Sequence, residues 1–511
     1  MTVRTGYDVI LFADECSLAH SRSLGVFRLA TELRRNGYTV KVLDFFSSWL
    51  DDIKSLNNLL NLIVDQQTLF IGFSGTTFTK TSGAEKQNIR SFSDYFNAST
   101  VTTWPADDTK IKFLFLHLKR KNPNLKLVYG GEWHTIKIPF LQNTIDFFVQ
   151  GYGEQTVVEL ANNLRNSSNQ KYFPAGNVKL INHNKNAIGF DFKNYGDTLY
   201  DRSDLLSPGE MLYLETSRGC MFKCKFCDYP ILGRKKGSDP HHKSIDVLTN
   251  EFKSNYDLAG ITKYSIVDNI FNETTEKLED VLRARDRSGV DIDFFAFIRY
   301  ELLDKFPEQV SLLKELGIKS AGISIESLHT PSARTVGKGM DSEKVKDILY
   351  NLKDQWGESV RVSGTLIIGL PEDNPETLDK WIPWIFDKQC PITFGYMFPL
   401  TFVNGTTFSD NPEKYGYSVI ENGHQWKNKY WDSVAAEQYA FDLRQKYWDA
   451  GLAKPCAAEF ISLLSYGYDR DYLMNTSLKD LNFQEIQKKS NDRWIQYRDN
   501  TFEYEKSKIN T

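Results

Sequence analysis

The sequence predicts an α/β protein built in three successive parts. A doubly wound parallel sheet occupies residues 1–165, a partial (β/α)6 parallel barrel residues 211–408, and a mostly helical region residues 409–511. Three observations lead there. Short apolar runs alternate with helical segments through the first 165 residues, which is the βαβ pattern of a parallel sheet. The alternation restarts at Met211 and yields six strand candidates with five helices between them. From Ser409 onward strand runs give way to aromatic and charged residues at helical spacing.

In the first part Tyr7 to Phe12 is a strand candidate, followed by a helix from Leu24 to Asn36 that Gly37 ends. Val40 to Leu43 and Thr68 to Phe73 are the next strands. Ile111 to Lys121 reads as a helix that stops before Pro123, and Leu125 to Tyr129 as a strand that stops at Gly130-Gly131. Ile145 to Val149 is a further strand, and a helix runs from Glu154 to Leu164. Ligands of such sheets sit at the C-terminal strand ends. Thr79 to Asp108 is polar and irregular and reads as an insertion. The stretch 166–210 is rich in Asn, Gly and Asp and reads as a linker with one small hairpin.

The barrel strands are expected at Met211–Glu215, Tyr264–Asp268, Asp293–Ile298, Ser320–Ile325, Arg361–Ile368 and Ile392–Phe398. Catalytic residues of parallel barrels cluster at the C-terminal strand ends. Six of the ten tryptophans fall between Trp381 and Trp494. Helices are expected over Trp431–Trp448 and within Leu481–Glu503, forming a cap whose aromatics pack in its own core. A lid over substrate is the other reading of that region.

Composition removes several function classes. The 511 residues carry 62 basic and 66 acidic side chains, a net charge of −4, so nucleic-acid binding is not indicated. At 25% charged and 41% hydrophobic the chain is a folded, soluble type. No apolar run approaches the ~20 residues of a spanning helix. The N-terminus does not read as a secretory signal, and a cytoplasmic setting is expected. Six cysteines are too few for a disulfide scaffold of this length.

Three of those cysteines are concentrated. Cys220, Cys224 and Cys227 lie in the run Ser217-Arg-Gly-Cys-Met-Phe-Lys-Cys-Lys-Phe-Cys, directly after the first barrel strand. A structural zinc site usually needs four protein ligands, and only His241 and His242 stand near. An iron–sulfur cluster held by three thiolates leaves one iron open to a small molecule.

Cys220-x-x-x-Cys224-x-x-Cys227 after a first barrel strand resembles the radical S-adenosylmethionine (radical SAM) superfamily, whose barrel is a partial TIM type. The resemblance implies a [4Fe-4S] cluster on these cysteines and S-adenosylmethionine on its open iron. It implies roles for further residues too. Phe226, the aromatic before the third cysteine, would lie near the adenine. Asp268 or Asn269, after the second strand, would accept from the methionine ammonium, where many relatives carry Gly-Gly-Glu. A literal Gly130-Gly131-Glu132 exists, but it precedes the cysteines and belongs to the first part. Arg299 would pair with the methionine carboxylate. Ser324 and Glu326, in Gly322-Ile-Ser-Ile-Glu-Ser, would contact the ribose or methionine part. Gly369, in Thr365-Leu-Ile-Ile-Gly-Leu-Pro-Glu372, would let backbone approach the base.

The first part is similar to the Rossmann-like cobalamin-binding domain that precedes many radical SAM barrels. The matching positions are Ser74 and Thr76, Gly130 and Gly131, and Gly151 and Gly153, where small residues would admit a corrin and its nucleotide tail. The histidine motif Asp-x-His-x-x-Gly is absent. Asp14-Glu15-Cys16 occupies that turn with His20 further on, so no lower axial histidine carries over.

Together these resemblances imply a cobalamin-dependent radical SAM enzyme that cleaves S-adenosylmethionine reductively to a 5′-deoxyadenosyl radical and methylates an unactivated carbon. The rivals are a radical cyclisation or rearrangement without methyl transfer, with or without a vestigial corrin domain, and a non-catalytic cluster or corrin binding protein. The expected partners are a small-molecule or peptide substrate and an electron donor of the flavodoxin or ferredoxin kind, with the chain as monomer or homodimer.

Overall fold

The computed structural model describes residues 6–14, 21–75, 80–81, 102–103, 108–131, 144–166, 179–182, 190–227, 242–403, 405–420 and 425–509. Six strands form the first sheet: β1 (Val9–Phe12), β2 (Val40–Leu43), β3 (Phe70–Ser74), β4 (Lys126–Gly131), β5 (Phe147–Gln150) and β6 (Lys179–Asn182). Their order is β2-β1-β3-β4-β5-β6 and every pairing is parallel. Strands buried on both faces explain the continuous apolar runs VILF and VKVL. The order reverses between β1 and β3, which opens a crevice beyond their C-terminal ends. Helices α1 (Leu24–Arg35), α2 (Ile53–Ile63), α3 (Asp108–Lys121) and α4 (Glu154–Arg165) connect these strands.

Within 166–210 the structure has a sixth parallel edge strand, β6, where the sequence suggests a hairpin. The open edge of β5 supplies the hydrogen-bonding partners that settle this. Nor is the end of that stretch a loose linker, because basic residues of α1, and Arg22 just before it, hold it. Arg28 Nη1 donates to the Asp197 carbonyl at 2.6 Å, Arg34 pairs with both oxygens of Asp204 at 2.7 and 2.8 Å, and Arg22 pairs with Glu210 at 3.2 Å.

The second sheet contains β7 (Met211–Leu214), β8 (Lys263–Ile266), β9 (Asp293–Ile298), β10 (Ile318–Glu326), β11 (Arg361–Ile368) and β12 (Thr393–Pro399). They pair in chain order, all parallel, so the sheet curls without its first and last strands pairing. Its helices include α5 (Ile245–Ala259), α6 (Thr275–Ser288), α7 (Glu308–Leu316), α8 (Thr330–Val336) and α9 (Ser342–Trp356). Glycines in left-handed conformation end α5, α6, α7 and α8, at Gly260, Gly289, Gly317 and Gly337.

The C-terminal region gathers a core from Trp448, Phe460, Leu473, Leu481 and Phe483 and joins it to the half-barrel. Helix α10 (Ser433–Asp449) covers β11 and β12. Helix α11 (Ala457–Ser465) packs against β7, β8, β9 and β10, and its Phe460 joins Met211 and Phe295 in one core. The Cys456 thiol before it lies where a Cβ on Gly395 would stand, at 2.6 Å, so a side chain there would displace the helix. The long α12 (Phe483–Ile509) returns to the first sheet. Its Trp494 meets Trp49 edge-on at 4.8 Å, its Tyr497 meets Phe45 at 5.3 Å, and the Tyr497 hydroxyl donates to the Val42 carbonyl at 3.4 Å. Trp431 and Trp448, candidates for a substrate lid, are buried: Trp431 Nε1 donates to the Asp373 carbonyl and Trp448 stacks on Phe483. Among the described residues no helix is long and apolar enough to cross a membrane.

The return of α12 creates a pH-dependent contact. Tyr7 donates to Glu505 at 2.8 Å. Burial, and then the Glu505 carboxylate, raise its phenol above the ordinary value of 10.0. The folded chain therefore keeps a proton that the unfolded chain releases, so stability from this group is present below about pH 10 and declines as pH rises beyond it. In urea titrations across alkaline pH, Tyr7→Phe is expected to lose stability less steeply than the parent; equal slopes would remove Tyr7 as a cause.

Candidate active site

The three cysteines lie on the loop leaving β7, at the C-terminal end of the half-barrel. All three are partly buried. The loop is anchored at both ends. At its start, the Asp268 carboxylate accepts from Thr216 N at 2.7 Å and Ser217 N at 3.1 Å, from both their hydroxyls, and from Lys277 Nζ at 2.7 Å. Further along, Lys225 N donates to the Val336 carbonyl at 3.2 Å and Lys225 O accepts from Phe408 N at 3.0 Å. Cys227 N donates to Cys224 O at 3.2 Å, which closes the turn between them.

Among the described residues no three His, Cys, Asp or Glu side chains are gathered tightly enough for a lone metal ion. A cuboidal iron–sulfur cluster takes one thiolate per iron, so its ligands surround a larger group and need not converge on one point. The donor set, three thiols on one anchored loop, fits that group.

The residues expected around S-adenosylmethionine all stand at this end of the barrel, with several in other roles. Asp268, expected as an ammonium acceptor, is engaged with the loop start and Lys277. Its oxygens already accept five hydrogen bonds inside the protein. Asn269 is partly exposed just after it. Arg299 is likewise committed. It grips Glu301 with two nitrogens at 3.1 and 2.9 Å, donates to Gly337 O at 3.0 Å, and reaches Cys224 Sγ at 3.6 Å while lying 3.7 Å over the Phe222 ring. It clamps the cysteine loop where the sequence suggests a free cation for a carboxylate.

Glu326 ends β10 in a left-handed conformation (φ +67°), a strained state for this residue type. It accepts from Thr365 Oγ1 at 3.2 Å and lies 3.6 Å from the buried Lys338 ammonium, which also donates to the Ser324 carbonyl. The sequence reading passed over Lys338, Lys277 and Glu301, since isolated charges look like solvated surface. Gly369 has φ +92°, and a Cβ on it would fall 2.4 Å from the Trp426 indole. The close approach it permits in the folded chain is to that side chain. Phe226 packs against the aromatic core formed by Trp426, Phe402 and Tyr417.

A second feature adjoins the loop. A cavity of about 310 Å³ lies beyond the C-terminal ends of the first sheet. This is the lower end of the size range of ligand cavities. Ser74, Gly130, Gly131, Gly151 and Gly153 all line it, with Gly72 and apolar side chains of β1, β3, β4 and β5. Thr76 lies outside the described residues, as do Glu15, Cys16 and His20. Gly131 (φ +151°) stands so close to Gly75 that a Cβ would sit 3.1 Å from its Cα, and Gly151 has φ +90°. The glycines thus form a cradle of bare backbone, which would admit a flat ligand. The wall is completed from the half-barrel by Glu215, Arg218 and Val267.

A flavodoxin-ordered sheet whose crevice abuts a cysteine loop on a parallel half-barrel defines a two-sheet class of α/β protein with two candidate centres side by side. Residues 214–385 match the Radical SAM superfamily. An uncharacterized methyltransferase of Pyrococcus horikoshii is 26% identical over 307 residues, 56% of this chain and 63% of that protein. A hopanoid C-2 methylase of Rhodopseudomonas palustris is 23% identical over 184 residues, 35% of this chain and 34% of that protein. The matches therefore span less than two thirds of these relatives' own lengths. Among solved structures, the radical S-adenosylmethionine methyltransferase TsrM of Kitasatospora setae, with cobalamin and a [4Fe-4S] cluster bound, superposes with a TM-score of 0.58 at 15% identity, covering 95% of this chain and 99% of that one. The cobalamin-dependent S-adenosylmethionine radical enzyme OxsB, with aqua-cobalamin bound, gives 0.57 at 13% identity, covering 99% and 84%. At these identities the two structures establish the shared fold.

Proposed function

We propose that this chain is a cobalamin-dependent radical SAM methyltransferase acting on an unactivated carbon of a small molecule or peptide. The observation that carries this reading is the glycine cradle, whose wall is completed by Glu215 and Arg218, immediately before Cys220. When bound, the cluster would supply an electron to cleave S-adenosylmethionine, and the corrin would supply a methyl group. Cys220, Cys224 and Cys227 would hold the cluster. Arg299 and Asp268 would fix their loop, and Ser324, Glu326 and Lys338 offer polar contacts for the nucleoside and amino-acid parts of S-adenosylmethionine. The apolar walls of the cradle would keep water from the corrin face. An electron donor of the flavodoxin or ferredoxin kind would serve the cluster.

The test is anaerobic reconstitution with iron, sulfide, hydroxocobalamin, reductant and S-adenosylmethionine. The parent chain is expected to bind both cofactors and to form 5′-deoxyadenosine and S-adenosylhomocysteine. Cys224→Ala is expected to lose cluster iron and both products. Retention of parental iron by Cys224→Ala, with neither product from either protein, would sink the proposal. Formation of 5′-deoxyadenosine alone would favour a radical rearrangement without methyl transfer.

A further inference from the structure

Arg218 sits two residues before Cys220 and reaches across to the first sheet. Its Nε and Nη2 grip Glu215 at 2.9 and 3.0 Å, and Nη2 also donates to Glu154 Oε1. The guanidinium lies 4.5 Å from the ring centroids of both Tyr152 and Phe192. Glu154 is 4% exposed and begins α4, right after the cradle glycines Gly151 and Gly153. Arg28 approaches the same carboxylate from α1 at 3.9 Å, and its Nε finds no hydrogen-bond acceptor among the described residues. Arg28, Glu154, Glu215 and Arg218 all line the cavity, so the group forms one wall of it.

Four charges with little access to water are an expensive way to hold two sheets together. Apolar side chains of similar volume would often serve stability as well or better. What an ion group adds is register: a planar guanidinium that bridges two carboxylates between two rings admits one placement. Here it ties the cradle's helix start to the loop that carries the cysteines.

We propose that Arg218 is a positioning residue through which the cradle and the cysteine loop sense each other's occupants. A ligand that displaces the Gly151–Glu154 turn moves Glu154. Arg218 then shifts, and with it the backbone entering Cys220. Coupling of this kind is reciprocal: a loaded cluster alters affinity in the cradle as much as a loaded cradle alters the cluster loop. The inference rests on the reading that the cradle takes a corrin and the loop a cluster.

The experiment uses the full reconstituted chain and hydroxocobalamin as probe. Cobalamin affinity is read by absorption titration, with and without the cluster. Cluster reduction is followed by electron paramagnetic resonance in a potentiometric titration, with and without cobalamin. In the parent chain cobalamin is expected to move the cluster's midpoint potential, and the cluster to tighten cobalamin binding by about fivefold or more. In Arg218→Lys, with parental iron content, both effects are expected to vanish. Glu154→Gln, in which Glu215 still holds Arg218, is expected to do the same, and it serves if Arg218→Lys fails to fold. The double variant is expected to be no worse than the worse single. A parent chain that binds both cofactors with no mutual effect overturns the coupling alone, as do variants that keep it. A staple of purely structural worth would lower the melting temperature and leave the potential's response intact, which also overturns the proposal. A parent chain that binds no cobalamin removes the functional reading and this inference with it.

Discussion

Replacing Glu505 by alanine is expected to lower unfolding stability by about 3–5 kcal/mol. Glu505 lies near the end of α12, 3% exposed, and its carboxylate pairs with Lys41 Nζ at 3.1 Å as well as with Tyr7. Lys41 is fully buried on β2, and its ammonium also donates to the Ser203 carbonyl at 2.7 Å and lies 5.4 Å from the Tyr504 ring centroid. Burial pulls Lys41 below the ordinary ammonium value in spite of Glu505, so the charge depends on that partner. Alanine would strand it. Urea unfolding of the full chain, followed by tryptophan fluorescence, reads the loss. A shift under about 1 kcal/mol would mean that the pair behaves like an exposed ion pair. The double replacement Lys41→Met with Glu505→Leu is expected to recover most of the loss, because no buried charge is left without its counterpart.

The second large effect is expected at Asp268→Ala. This change removes the common acceptor of Thr216, Ser217 and Lys277 and leaves the Lys277 ammonium, 2% exposed, with only Ser217 Oγ at 2.7 Å and Ile270 O at 3.2 Å. A loss of about 3–5 kcal/mol follows from breaking a buried pair. Iron retained after anaerobic reconstitution should fall with it, since the start of the cysteine loop is freed. The fraction that still holds a cluster should bind S-adenosylmethionine as the parent does. Weaker S-adenosylmethionine binding at undiminished stability would restore Asp268 to the ammonium role that its sequence position suggests.

The two predictions mark where sequence reading stops. Strand and helix placement was largely legible because the apolar runs are unbroken and both sheets are parallel. VILF of β1 or the run DFFAFI of β9 has few ways to be buried. The cysteine loop was legible for a different reason, since its ligand types and spacing are local. Asp268 and Arg299 stand at the expected strand ends, and each meets protein partners that the local sequence does not name. A strand end tells where a side chain starts, and only the neighbouring elements tell what it meets. Lys277 comes from the helix after β8, Glu301 from the short helix after β9, and Gly337 from the end of α8. The glycines of the cradle were found at their strand ends. The wall that Glu215 and Arg218 add was missed, although Arg218 stands inside the motif that drew attention to the cysteines.

The C-terminal region shows the same limit more strongly. Aromatics at helical spacing announced helices that pack, and α10, α11 and α12 do so. Nothing local says that α11 serves the half-barrel while α12 serves the first sheet, since both choices bury an apolar stripe equally well from the helix's own point of view. By itself the sequence determined two parallel sheets, the cysteine loop and the glycine-bearing strand ends, because each of these is set by residues within a few positions of one another. Tertiary structure alone decided the pairings across long separations, Glu505 with Lys41, Arg218 with Glu154 and Asp268 with Lys277. A buried charge accepts whichever partner the packing of distant elements brings within reach, and that packing is settled only when the whole chain has folded.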